Sequence, residues 1–293
     1  MRFREFLKGD FSLSETKVSD SSEKIIPKDV NDLRRLLNLK RTKLANIEIP
    51  KHITDLSDLF NPRFLKFERT DFSGLETWDV SHVTDMRNMF VKCKNFTGKE
   101  IEHWNVKNVK DFSGMFENCS NFNANLSRWN VSSAEEMISM FSGCDNFTGK
   151  GLEKWNVSNV IKINHMFDSC KKFTGKSVEK WNLNSLKEML AIDIKRIFEG
   201  SGAENNIPKS FMELIKKAEE RSKENEREKE KERADAFKEK FGVDYSKAPK
   251  KAQELWKGYE RFAAYIDDYR EYKKAMDNNE WIYNEIEKLL KNN

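Results

Sequence analysis

The chain lacks any run approaching the roughly 18 consecutive apolar residues that a membrane-spanning helix needs, so no span is expected. Its opening, MRFREFLKGDFSLSE, carries Arg2, Arg4, Glu5 and Lys8 where a secretory signal requires an unbroken apolar stretch. Export by the general secretory route is therefore not expected, and a cytoplasmic or particle-enclosed location is. An excess of one charge is missing too: 53 Lys and Arg stand against 49 Asp and Glu in 293 residues, a formal net charge of +4. That balance predicts no nucleic-acid partner. Cysteine and histidine number four each, which leaves little from which to build metal chemistry.

What the chain has in quantity is repetition. WDVSHVTDMRNMFVKCKNF, from Trp78, returns as WNVKNVKDFSGMFENCSNF from Trp104, and again from Trp129 and Trp155. The tryptophans at 78, 104, 129, 155 and 181 are 26, 25, 26 and 26 residues apart, a period that marks stacked repeats. W-x-V has the two-residue period of a short strand, while Val83, Met86, Met89 and Phe90 follow helical or 3₁₀ spacing. Asn108 with Asp111, Ser133 with Glu136 and Ser185 with Glu188 have capping-box spacing between the two halves. The prediction is an α+β repeat, a leucine-rich-repeat-like solenoid of short strand and short helix, whose units bury their apolar faces only by stacking. ITDLSDLF at Ile53 copies VTDMRNMF without a tryptophan and opens the array. Trp181-Asn182-Leu183 begins a fifth unit that runs into a closing cap.

These phrases resemble the BspA-like leucine-rich repeat family, the mycoplasma and lactobacillus surface-protein repeat, over about Ile49 to Glu199. PKDVNDLRRLLNL at Pro27 is similar to the lead-in that often precedes such repeats. The resemblance implies a right-handed solenoid that binds proteins, often host matrix proteins at a bacterial surface. The lack of a recognised secretion signal or anchor departs from that setting.

Stacking turns each position into a column. Asp79, Asn105, Asn130, Asn156 and Asn182 form one, expected as an amide ladder satisfying neighbouring backbone. Two residues before each tryptophan stand Glu76, Glu102, Ser127, Glu153 and Glu179, and one before stand Thr77, His103, Arg128, Lys154 and Lys180. A neutralised, solvated face is one reading. The other is a charged strip for a protein partner, with His103, Arg128, Lys154, Lys180, Glu102, Glu153 and Glu179 as the contact residues.

Cys93, Cys119, Cys144 and Cys170 share one repeat position and lack the close C-x-x-C pairs of a zinc site, so they read as small core hydrophobes. His52, His82, His103 and His165 occupy four different positions. KKFTGKS at Lys171 has the look of a phosphate loop, but the required first glycine falls at Cys170, and T-G-K recurs at Thr97 and Thr148 as a repeat turn. No metal, cofactor or enzyme activity is expected.

Composition changes after Gly202, and all six tyrosines lie at Tyr245 or beyond. Glu219 to Arg233 has no apolar residue and many i,i+3 charge pairs, predicting a solvated helical spacer on the order of 45 Å long. Leu255, Tyr259, Phe262, Ile266, Tyr269 and Met276, then Trp281, Ile282, Ile286 and Leu289, predict a helical hairpin. The expected organisation is a leader and lead-in helix at 1–48, repeats at 49–199, a charged helical spacer at 200–242 and the hairpin at 243–293. The hairpin folds on itself or serves docking or self-association, with Trp256, Tyr259, Tyr269 and Trp281 as contacts.

The first fifteen residues also resemble the capsid-targeting leader of internal head proteins in T-even-like phages, with Leu13-Ser14-Glu15 fitting a cleavage site after Glu15. Three functions stand as expectations: an interaction scaffold, a packaged phage component, and a surface adhesin exported by an unrecognised route.

Overall fold

The structure is a computed structural model that describes residues 24–39, 42–263 and 282–291. Two compact units divide between Glu219 and Glu220.

The first unit opens with helix α1, Val30–Leu37. Asp29 caps it by accepting from the Asp32 N–H at 2.8 Å, and Leu33 and Leu37 enter the core. The repeats follow, most of them introduced by a 3₁₀ turn: Leu44–Asn46, Leu75–Thr77, Lys99–Ile101, Leu152–Lys154 and Lys176–Val178. Ile47 holds the tryptophan position of the opening unit and pairs in parallel with Ile25.

The expected strand-and-helix solenoid is corrected by this backbone. Among the described residues no strand extends beyond an isolated bridge, and no α-helix lies between residues 44 and 190. W-x-V makes no bridge in any repeat that carries it. The bridges fall on Asp55, Asp85, Asp111, Glu136 and Lys162, each pairing with the next, inside the stretch whose spacing suggests a helix. The cause is a left-handed residue in every repeat: Asp58, Asn88, Gly114, Ser139 and His165 have φ between 52° and 63°. Alternate N–H groups then point the same way. Those of Met86, Asn88 and Phe90 donate to the carbonyls of Asp111, Ser113 and Met115 at 2.9–3.0 Å. A helix would keep these donors inside the repeat, and a strand would send the intervening N–H groups to the opposite neighbour, whereas those of Met89 and Val91 donate within their own repeat, to Met86 and Asn88.

The expected capping boxes give way for the same reason. Asn108 Nδ2 donates to the Ser81 carbonyl of the preceding repeat at 2.6 Å, and Asn159 does so to Ser132 at 2.8 Å. Asp111 meanwhile accepts from the Ser113 N–H within its own turn.

Packing is columnar. Phe60, Phe90, Phe116, Phe141, Phe167 and Phe198 stack one per layer, 5.1–5.9 Å apart, and all are fully buried. Phe96, Phe122, Phe147 and Phe173 make a second column beside them. The thiols of Cys93, Cys119, Cys144 and Cys170 donate to the carbonyls of Phe60, Phe90, Phe116 and Phe141 in the preceding layer, at 3.3 Å for the first and 2.9 Å for the rest. Gly151 sits where a Cβ would lie 2.2 Å from the Ser127 amide nitrogen, so this turn closes against the preceding one only without a side chain.

Both ends are finished by other elements. Arg34 of α1 donates to the Ser57 carbonyl at 2.9 Å, filling the role that the Asp58 N–H performs for the equivalent Arg87 carbonyl one layer on. At the far end helix α2, Ala191–Arg196, leads to Ile197 and Glu199, whose carbonyls accept from Phe167 and Ser169. Phe211 closes the column edge-on against Phe198 at 4.9 Å.

Helix α3, Lys209–Phe241, is exposed at every residue from 222 to 232. In the second unit its end packs with α4, Lys250–Ala263, and with helical backbone at 282–291. The buried residues there are Phe237, Ala248, Ala252, Trp256 and Ile286.

Candidate interaction surface

Each tryptophan anchors its turn through a buried indole N–H. Trp104, Trp129, Trp155 and Trp181 donate to the carbonyls of Leu75, Ile101, Leu126 and Leu152 in the preceding repeat at 2.9–3.1 Å. With the ring held inside, the residue before it is turned outward, and His103, Arg128, Lys154 and Lys180 are all exposed.

The neighbouring carboxylates point elsewhere. Glu76 accepts from the Gly74 N–H at 2.8 Å, Glu153 from Gly151 at 3.1 Å, and half-buried Glu102 from Asn125 at 2.8 Å. Three acids of the column are thus engaged by backbone, though Glu76 and Glu153 remain exposed, as is Glu179. Arg128 Nη1 lies 2.6 Å from His103 Nδ1, a contact that fits an imidazole carrying its proton on Nε2. Lys154 and Lys180 make no ion pair among the described residues. The amide column differs from the expected ladder. Asn130, Asn156 and Asn182 each accept from the N–H two residues on, at 3.1 Å, closing turns within their own repeats.

A second charged column runs beside the bridges and is self-neutralised. Arg87 pairs with Asp85 at 2.8 Å and Asp111 at 3.4 Å, Lys110 with Glu135 at 3.1 Å, and Lys162 with Glu136 at 2.6 Å. Hydrogen bonding to Asp85 is the first cause of the raised Arg87 pKa. The tryptophan alignment does not mark this column as a site, and only the D-x-R phrase of Asp85 and Arg87 spells out a pair within one repeat.

A cleft of about 510 Å³ opens where four extra residues lengthen the path from Phe60 to Trp78, lined by Thr42, Lys43, Phe67, Glu68, Arg69 and Asp71 among others. Burial lowers the pKa of Arg69, with Asp71 opposing that effect. Arg69 Nε and the Thr42 hydroxyl have no hydrogen-bond partner among the described residues. Both atoms are enclosed by protein, so they offer a ligand in the cleft no open contact. The interrupted period was the signal for it in the sequence.

Trp256 is 5% exposed and donates to the Arg233 carbonyl at 3.2 Å, giving its ring to the core of the second unit. Tyr259 is half-buried between Trp256 and Tyr283, 5.2 Å from each. Tyr269, Trp281 and Glu15 lie outside the described residues. No group of three or more candidate metal ligands occurs among the described residues, and none of their helices is long and apolar enough to cross a membrane.

The fold and surface define a stacked-repeat protein with one outward column of cations and one self-paired column of charges. The family described as "Mycoplasma protein of unknown function, DUF285" matches residues 54–181 and 136–206, together just over half of the 293 residues, and the chain belongs to that family. No curated protein and no solved structure matches it.

Proposed function

We propose that the chain is a non-catalytic interaction scaffold whose repeats present the column ahead of the tryptophans to a protein partner. The observation that supports this most is the division of labour in the charges: Glu76, Glu102 and Glu153 are held by backbone amides, and exposed Lys154 and Lys180 have no ion pair among the described residues. Cations free of local partners favour encounter with an acidic surface. Replacing Arg128, Lys154 and Lys180 together by Glu is expected to abolish capture of a specific partner, identified by mass spectrometry from lysate of the native source. Unchanged capture would remove the column from consideration. Self-association is a separate proposal for residues 220–293, tested by light scattering of the full chain across a dilution series.

The repeat phrase's likeness to BspA-like surface repeats, with the Mycoplasma description of the family, supports a second reading as a surface adhesin. Surface labelling of intact cells tests it. The phage reading rests on the first fifteen residues alone. N-terminal sequencing of protein from its native source tests that, since a chain starting at Thr16 implies cleavage after Glu15.

A further inference from the structure

The spacing of the layers depends on where it is measured. Backbones joined by parallel bridges lie roughly 4.8 Å apart. The phenylalanine rings from Phe90 to Phe198 are 5.7–5.9 Å apart, and the rings of Trp129, Trp155 and Trp181 are 6.3–6.4 Å apart with planes within 6° of parallel. The layers therefore splay from the bridge column toward the tryptophans. Arg128, Lys154 and Lys180 each precede one of those tryptophans by one residue, on the wider side of the layers.

An extended peptide presents same-face side chains every two residues, roughly 6.4–6.8 Å. That period is commensurate with the tryptophan layers and not with the narrower bridge column. The charges lean the same way. Lys150 and Lys176, in the same turns as Lys154 and Lys180, are also exposed, so that with exposed Glu153 and Glu179 between them the lysines still outnumber the carboxylates there.

We infer that Arg128, Lys154 and Lys180 receive an extended acidic segment of a protein partner, one carboxylate per repeat at every second residue. This rests on the scaffold reading and adds to it the partner's conformation and charge spacing. The segment runs along the stack, each carboxylate meeting one cation while the intervening side chains face solvent. The contacts are exposed and screened by salt, so specificity comes from register over several layers.

The test uses the full chain and two labelled octapeptides of identical composition, one alternating glutamate with serine and the other carrying its four glutamates contiguously. Fluorescence anisotropy at low salt should show the alternating peptide binding at least tenfold more tightly. The combined R128E, K154E and K180E variant should lose at least tenfold of that affinity, with an unchanged circular dichroism spectrum and denaturation midpoint as the folding control. A K110E and K162E variant, altered in the bridge column, should keep the affinity. Equal binding of the two peptides, no binding of either, or loss in the K110E and K162E variant alone overturns the inference. Those results leave the lysate capture by the unaltered chain standing, so failure of the register and failure of the scaffold reading are separable.

Discussion

In the repeat stack each phenylalanine of the column from Phe60 to Phe198 meets its own counterpart in the next layer, whereas the buried core among the described residues of 220–293 is Phe237, Ala248, Ala252, Trp256 and Ile286, which form no such series. The stack gains stability by adding layers, because the contact between Phe116 and Phe141 at 5.7 Å is the same contact as that between Phe141 and Phe167 at 5.9 Å. Its stability is close to a sum of layers and nearest-neighbour interfaces. The second unit has no such redundancy: Phe237, Trp256 and Ile286 each occupy a unique place. Repetition distributes a core along a line, and a small helical unit concentrates it at one point.

That contrast can be broken at several places. The largest effect is expected from Phe116→Ala, which empties the middle of the column and should cost about 3–5 kcal/mol in chemical denaturation. Exchange of backbone amides should then quicken in the layers on both sides of it. Trp256→Ala should cost about as much within the second unit, yet leave the exchange of Met86 to Phe167 amides unchanged. Spread of its effect into those layers would refute the local character of that core.

Trp129→Phe keeps most of the ring but removes the indole donor that lies 3.0 Å from the Ile101 carbonyl, leaving that carbonyl with the Trp104 N–H alone. A loss of about 0.5–1.5 kcal/mol is expected. A midpoint indistinguishable from wild type would mean that the indole N–H serves no structural purpose.

The cysteines sharpen the comparison through pH, since the second unit has none. Burial disfavours the thiolate and pushes Cys93 and Cys170 from an ordinary 9.0 up to about 12, with Cys119 and Cys144 also raised. A group whose folded pKa lies above its unfolded value contributes stability that is complete below the unfolded value and is lost as pH rises through the folded one. The stability of the stack should hold to about pH 9 and decline toward pH 12. A chain with all four cysteines replaced by alanine is less stable at neutral pH and should decline less over that window. An equal decline in both would show that the thiols are not responsible.

The smallest effect is expected at Lys162→Met. Its pair with Glu136 is open to solvent and screened, so the denaturation midpoint is expected to stay within error of wild type.

Much of the stack was legible in the sequence. The 26-residue period located the tryptophan layers, and the cysteines were read as core from their shared position. Secondary structure was misread because M-R-N-M-F has the same apolar spacing whether Asn88 is helical or left-handed. Spacing reports which side chains face inward and says nothing about the sign of φ. The recurrence of Asp, Asn, Gly and His at this position was the available clue, since these residues tolerate left-handed backbone best, but Ser139 stands there too. The charged strip was legible as a list of residues. Which of its charges are engaged was not, because Glu102 is satisfied by an amide 23 positions away.

The sequence by itself determined the number of layers, the residues that fill their interior and the places where the period breaks, because burial of apolar side chains depends on composition at fixed intervals. Only the tertiary structure decided the direction of the backbone donors, the splay of the layers and the amide that holds Glu102. Those properties arise from pairs of groups brought together by stacking, and no single repeat contains both partners.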